Sequence, residues 1–242
     1  VITVATWNVL HRIHADNWGG FGGDRWPDEA ERVAAVTETV AGRAEHIIAL
    51  QEVSGDLLTS LRLALPDRSV HALRYPRVPI PRRRAADLVD PAEYLVLLVD
   101  GPAKEVAAAP FPDDPGNGAI TVHASGLRVT ATHITGDRRG RGQIASLATQ
   151  DDPVGRPTVL LGDFNTDRAG VADALGPEFT LAPIDETGLP TRPRTSGPKS
   201  QFIDHIAVRG AHVGAAVVED VKGRSDHNLV RAVIETRPSA NS

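Results

Sequence analysis

The 242-residue chain, 41% hydrophobic and 24% charged, has the make-up of an ordinary globular protein, long enough for one large domain or two small ones. Its net charge of -5 argues against a main partner that is a long polyanion, because non-specific nucleic-acid binding draws on excess Lys and Arg. That balance also counts any carboxylates whose charge a divalent cation would neutralise. The absence of cysteine excludes disulfides, thiolate chemistry and Cys-ligated metals.

Residues 2–7 alternate β-branched and small side chains as a strand and end at Asn8. Ala30, Val33, Val36 and Val40 recur at helical spacing over residues 27–42, with Pro27 suited to a first turn and Gly42 to the end. A short buried strand over residues 46–50 runs into Gln51 and Glu52, and a second helical pattern covers residues 56–65. Residues 94–99, 104–109, 119–123 and 127–133 then form consecutive strands. Gly101-Pro102, Pro115-Gly-Asn-Gly118 and Ser125-Gly126 supply the turns between them. A short helix over 140–150 precedes a buried strand from Thr158, and strands over 202–208, 212–218 and 228–235 close the chain. Adjacent strands mixed with a few helices predict an α+β fold of stacked sheets flanked by helices, not a doubly wound parallel sheet. No linker or internal repeat divides the chain, so a single domain over residues 1–242 is expected, with the last few residues a disordered tail. Neither a signal peptide nor a membrane-spanning run is seen, which suggests a cytoplasmic protein, or a secreted one whose leader has been removed.

The chemistry concentrates in Thr158-Val-Leu-Leu-Gly-Asp-Phe-Asn-Thr-Asp167. An apolar run stops at Gly162 and delivers Asp163, a carboxylate able to take a proton, and Asn165, an amide able to donate to an anionic oxygen. Alone, this is equally an Asx-rich turn after a strand. The same arrangement recurs, however, at Asn8, Glu52, His133 and the pair Asp204-His205, each at the end of an apolar run, and at Asp226-His227 just before the last strand. Strands of two sheets ending at one rim would collect them in one cleft.

Thr6-Trp-Asn-Val9, Leu50-Gln-Glu-Val53, Thr132-His-Ile134, Gly162-Asp-Phe-Asn165, Ile203-Asp-His-Ile206 and Ser225-Asp-His227 occur in the order seen in the endonuclease/exonuclease/phosphatase superfamily, which the chain resembles over nearly its whole length. The resemblance implies a DNase-like four-layer α/β/β/α sandwich of two mostly antiparallel sheets, and Mg²⁺- or Mn²⁺-dependent hydrolysis of phosphoesters. It implies Glu52 as the main metal ligand, with Asn8 and Asp226 beside the cation. Asp163 would orient or deprotonate the attacking water and Asn165 would bind the phosphoryl oxygens. His227, held by Asp204, would contact the phosphate or the nucleophile, and His133 would serve as the acid for the leaving group.

Departures from the family pattern bear on substrate. Leu10 stands where apurinic endonucleases carry an acidic residue, and Asn117-Gly118 where DNase-like members carry a phosphate-binding Arg. The replacement cation is expected in the run ending at Arg84, or among Arg138, Arg139 and Arg141. Glu93 is a candidate to orient His133. The glycine- and aromatic-rich stretch from Asn17 to Asp24, with Trp18, is expected to overhang the cleft as a substrate loop. Within that family, acidic balance and compact length favour a phosphodiesterase or phosphatase acting on a small or short phosphorylated substrate, ahead of a DNA or RNA nuclease, and a monomer is expected. Low aromatic content disfavours a membrane-docking sphingomyelinase. A non-catalytic phosphate-binding module would be expected to have lost Asp163, Glu52 or His227, and all three are present.

Overall fold

The computed structural model describes residues 1–18, 26–82, 87–194 and 201–236. In chain order these form β1 (Ile2–Asn8), α1 (Arg12–Trp18), α2 (Glu29–Ala41), β2 (Ile47–Ser54), α3 (Gly55–Ala64), β3 (Arg68–Arg74), β4 (Glu93–Asp100), β5 (Ala103–Phe111) and β6 (Asp114–Ala124). β7 (Leu127–His133), α4 (Gly140–Ala148), β8 (Thr158–Asp163), α5 (Arg168–Leu175), β9 (Thr180–Leu181), β10 (Asp204–Arg209), β11 (His212–Val213), β12 (Val217–Glu219) and β13 (Leu229–Glu235) follow.

One sheet has the order β11-β13-β1-β2-β4-β3, with β12 also on β13, and the other has the order β5-β6-β7-β8-β10-β9. Only β1–β2 and β7–β8 pair in parallel among the described strands, so the sheets are mostly antiparallel, as expected. Each strand alternates its side chains between two hydrophobic layers. Val4, Ile47, Ala49, Leu95, Leu97, Val129, Ala131, Val159, Leu161 and Ile206 fill the space between the sheets. Ala5, Trp7, Ile48, Leu50, Val96 and Leu98 turn outward under α2 and α3. Leu160, Phe164 and Ala207 turn the other way under α4 and α5. Four layers result, which is the DNase-like sandwich.

Several elements differ from the sequence expectation. The turn expected at Pro115-Gly-Asn-Gly118 lies within β6; a Cβ on Gly118 would meet the Ala109 carbonyl oxygen at 2.5 Å, so glycine there permits strand contact with β5. The turn itself falls just earlier, after Phe111. Pro27 stands just outside its helix, which Asp28 caps by accepting from the Ala30 and Glu31 amides. The strand expected over 212–218 breaks into β11 and β12. β3, α1, α5 and β9 carry no clear periodic signal. β3 is an edge strand partly buried along most of its length, and α5 is only 8 residues long and contains Gly170.

Leu161 is wholly buried between the sheets, two residues before Asp163. Leu161→Ala should lower stability by about 2–5 kcal/mol in urea denaturation. Val106→Ala, at a 43% exposed position, should stay within about 0.5 kcal/mol.

Candidate active site

Strand register brings the polar residues together. His133 at the end of β7 lies opposite Asp163 at the end of β8, and Asp204 at the start of β10 lies opposite the same Asp163. All three continue the inward-facing alternation of their strands, so the inter-sheet core ends in a polar rim. Asn8 reaches that rim from β1 of the facing sheet. Glu52 needs a local irregularity to join it. Regular alternation in β2 would turn it outward with Ile48 and Leu50. A register shift between Leu50 and Val53, with φ of 57° at Glu52, turns it back to the rim. Leu10 (φ 59°) and Asn165 (φ 51°) share this left-handed backbone, so three of the five such non-glycine residues among the described residues lie at the site. Asp163 and Asn165 do not share a face through strand alternation. The chain turns instead, the Asn165 amide donating to Asp163 Oδ1 at 2.8 Å and its side chain to the Ile134 carbonyl at 2.9 Å. Gly162 makes this possible, because a Cβ there would overlap the Thr132 carbonyl oxygen.

Asp163 is the meeting point. Asn8 Nδ2 donates to its Oδ2 at 3.1 Å and to Glu52 Oε1 at 2.9 Å. His133 Nε2 and His227 Nε2 lie 3.6 and 3.8 Å from the same Asp163 oxygen. Behind His227, Nδ1 donates to Asp204 Oδ2 at 2.9 Å. Asp226 Oδ1 is 4.0 Å from His227 Nε2 and, being buried, has no hydrogen-bond partner.

Two loops carry these groups and are fastened to one another. Ser225 Oγ donates to the Asn8 carbonyl at 2.6 Å, and Trp7 Nε1 to the His227 carbonyl at 3.0 Å. Buried Arg32 on α2 donates to the carbonyls of Val9 (2.7 Å), Leu10 (2.8 Å) and Arg224 (3.0 Å), while Glu29 holds its guanidinium through two bonds.

Charge follows the geometry. Burial, and then the Asp204 carboxylate, push the Asp163 carboxyl above its usual range against the pull of His227 and His133. Burial opposes a charged His227, but Asp204, Asp226 and Asp163 outweigh it and push the imidazole up to about 10. Burial also opposes ionisation of Glu52, yet His14, His133 and the Asn8 amide hold its carboxyl well below the usual carboxylate range. His205, next to Asp204 in sequence, faces the other way. Its Nε2 donates to the Thr166 carbonyl at 3.1 Å, and burial lowers it to about 4.

The substrate-side expectations fare differently. Glu93 does not orient His133; it is buried at the start of β4 and accepts from His14 Nε2 at 2.9 Å. Arg139 is tied to Asp137 and to the Asp113 carbonyl, and Arg141 pairs with Asp173 on α5. Arg84, the Trp18 side chain, residues 19–25 and the expected C-terminal tail lie outside the described residues. Sequence reasoning missed Arg32, His14 and Arg192, whose NH2 donates to Asp226 Oδ2 at 2.8 Å. None of these three stands at the end of an apolar run, the signal that exposed the others.

Two groups could hold a cation. Donor atoms of Asp163, Asp204 and His227 all lie within 4.8 Å of one another. In that group, however, the Asp204 carboxylate is already engaged by the His227 N–H. Glu52, whose oxygens meet only the Asn8 amide and the His11 backbone N–H among the described residues, and Asp226, with its unpartnered Oδ1, offer hard oxygen donors of the kind a Mg²⁺-like ion takes.

A layered α+β sandwich with a carboxylate–imidazole cluster at the rim of its two sheets defines a DNase-like hydrolase scaffold. The family model described as the Endonuclease/Exonuclease/phosphatase family matches residues 5–227, and the chain belongs to that family. It is thus a phosphoesterase of a generally divalent-metal-dependent group. No curated protein matches it in sequence at a significant level. Among solved structures it is similar to an endonuclease/exonuclease/phosphatase from Bacteroides vulgatus (19% identity, TM-score 0.69, 98% of this chain and 99% of that one). It is also similar to D. rerio TDP2 complexed with single strand DNA product (14%, 0.68, 97% and 99%). A third is the mannosyl-6-phosphatase Bt3783 of Bacteroides thetaiotaomicron (17%, 0.64, 97% and 99%). At these identities the likeness speaks for the fold.

Because the folded His227 pKa lies above its ordinary 6.5, its pairing stabilises fully below about pH 6.5 and is lost as pH rises through about 10. Urea midpoints of the wild type should therefore fall between pH 7 and pH 10, and Asp204→Asn should flatten that dependence; an unchanged slope would separate the two residues. Arg32→Met should destabilise by about 3–5 kcal/mol, since the carbonyls of Val9, Leu10 and Arg224 lose their donor and buried Glu29 keeps only Arg12 NH1, 3.7 Å away. The double variant Glu29→Leu/Arg32→Met should recover part of that loss.

Proposed function

We propose that the chain hydrolyses a phosphoester in a small or short phosphorylated substrate, with Asp163 activating the attacking water. The observation that carries this reading is the setting of Asp163: a buried carboxylate with its basicity raised, one oxygen held by the Asn8 amide and facing two imidazoles. Held between Asn8 and the Asn165 backbone N–H, it can orient a water and take its proton. The Asn165 Nδ2 has two hydrogens. One goes to the Ile134 carbonyl; the other, which meets only His133 Nε2 at a long 3.4 Å, serves the phosphoryl oxygens as charge builds. His227, kept charged and oriented by Asp204, faces the phosphate, and His133 protonates the leaving group. Mg²⁺ or Mn²⁺, held by Glu52 and Asp226 beside Asn8, would supply charge neutralisation at the phosphate.

Asp163→Asn is nearly isosteric and should keep the fold yet lower kcat by about 10² to 10⁴. The test is a turnover screen with Mg²⁺ against bis-p-nitrophenyl phosphate, sugar phosphates, nucleotides, single-stranded RNA and nicked plasmid. A folded Asp163→Asn protein with wild-type turnover would remove the base from Asp163, and full turnover in excess EDTA would remove the metal. Glu52→Gln should weaken Mg²⁺ binding far more than it lowers the melting temperature. Single-stranded nucleic acid is the second reading, favoured by the fold's likeness to the TDP2 structure holding a single strand DNA product. A steep fall of activity with salt, as several phosphates are neutralised, would promote it.

A further inference from the structure

The resemblance to DNase-like members implies a phosphate-contacting arginine in the region that Asn117-Gly118 occupies here. Of the arginines expected to replace it, Arg139 pairs with Asp137 and Arg141 with Asp173. A different guanidinium reaches the rim from the segment before β10. Its backbone is pinned by Thr191, which is wholly buried. The Thr191 carbonyl accepts from Asn228 N at 2.7 Å, and its hydroxyl oxygen accepts from Ile203 N at 3.0 Å and Asp204 N at 3.2 Å. Asn228 Nδ2 adds a bond to the Pro190 carbonyl at 2.8 Å. The next residue, Arg192, is thereby fixed between the strand that begins with Asp204 and the turn that carries Asp226 and His227. Its own N–H donates to the Gln201 carbonyl at 2.8 Å.

From that anchored position Arg192 NH2 donates to Asp226 Oδ2 at 2.8 Å, with 29% of the side chain still exposed. Against its own burial, the carboxylates of Asp226, Asp163 and Glu52 hold the guanidinium charged. Arg194, on the same segment, also lies within the field of Asp226 and Asp163, and burial together with the like charge of Arg192 disfavours its own charge. A guanidinium has five N–H donors in a planar fork, and Asp226 engages one of its terminal nitrogens.

We infer that Arg192 is the substrate-binding cation of this site, using its remaining donors to hold the phosphate over Asp163 while Asp226 fixes its orientation. The inference rests on the phosphoesterase reading of the rim and adds a contact at the phosphate itself. No covalent step is involved; Arg192 stays protonated throughout.

Calorimetric titration of the Mg²⁺-loaded protein with inorganic phosphate tests it without turnover. Charge-assisted hydrogen bonds of this kind predict about 10- to 100-fold weaker phosphate binding in Arg192→Ala. Arg192→Lys, which keeps the charge but loses the fork, should fall between. Arg62→Ala, an exposed position on α3, should bind as the wild type does. Circular dichroism and melting temperature establish that each variant is folded, and Arg192→Lys with Arg192→Gln carry the comparison if the alanine variant is not. Phosphate affinity within about twofold of wild type in the folded Arg192 variants overturns the inference, as does a loaded wild type that takes up no phosphate at millimolar concentration. Binding that depends on Arg192 in a protein that turns over nothing would instead count against the hydrolytic reading alone.

Discussion

Burial of Asp163 at the rim between the sheets is the constraint to which its surroundings answer. A carboxylate taken out of water must be met by donors or by positive charge, and both are present. The Asn8 amide and Asn165 backbone N–H contact it directly, with His133 and His227 at somewhat longer range. Each donor comes from a different chain segment, and the parallel β7–β8 pairing and antiparallel β8–β10 pairing put the flanking residues beside Asp163. A one-residue slip in either pairing would turn His133 or Asp204 to the opposite face of its sheet.

The facing sheet has no hydrogen-bonded ladder to this one, so its contribution depends on packing and on the fastening of its loops. Trp7, Ser225 and Arg32 do that fastening. Each ties the segment around Asn8 to the turn carrying Asp226 and His227, through carbonyl groups rather than side chains. Backbone carbonyls do not change with the residue that bears them, so the tie constrains the position of the loops and leaves their side chains free for chemistry.

Most of the site was legible in the sequence because its residues sit where apolar runs stop. Asn8, His133 and Asp163 obey that rule, whereas Asp204 begins its strand, and the ordered motifs around them carried the family. Glu52 was found by the same rule, although the bulge that brings it to the rim leaves no signature in composition. Asp204 and His205 were flagged together, and only alternation in the folded strand assigns one to the cluster and the other to the layer beneath α5. Arginines were the hardest to read. Lys104, Lys199 and Lys222 are the only lysines in the chain, so arginine alone marks nothing. What separates Arg192 from Arg141 is the partner each meets across the fold, Asp226 in one case and Asp173 in the other. The missed elements β3 and α5 are an edge strand and a short helix containing glycine, where packing outweighs local preference.

The central claim is that water, activated at Asp163, attacks phosphorus directly. A single turnover with enzyme in excess over substrate, run in water enriched in oxygen-18, tests it at the atom concerned. On whichever phosphoester the enzyme cleaves, one labelled oxygen should appear in the phosphoryl product and none in the released alcohol. Label in the alcohol would place the attack at carbon. Label in neither product would mean that an oxygen of the protein, not water, had attacked phosphorus and stayed with it.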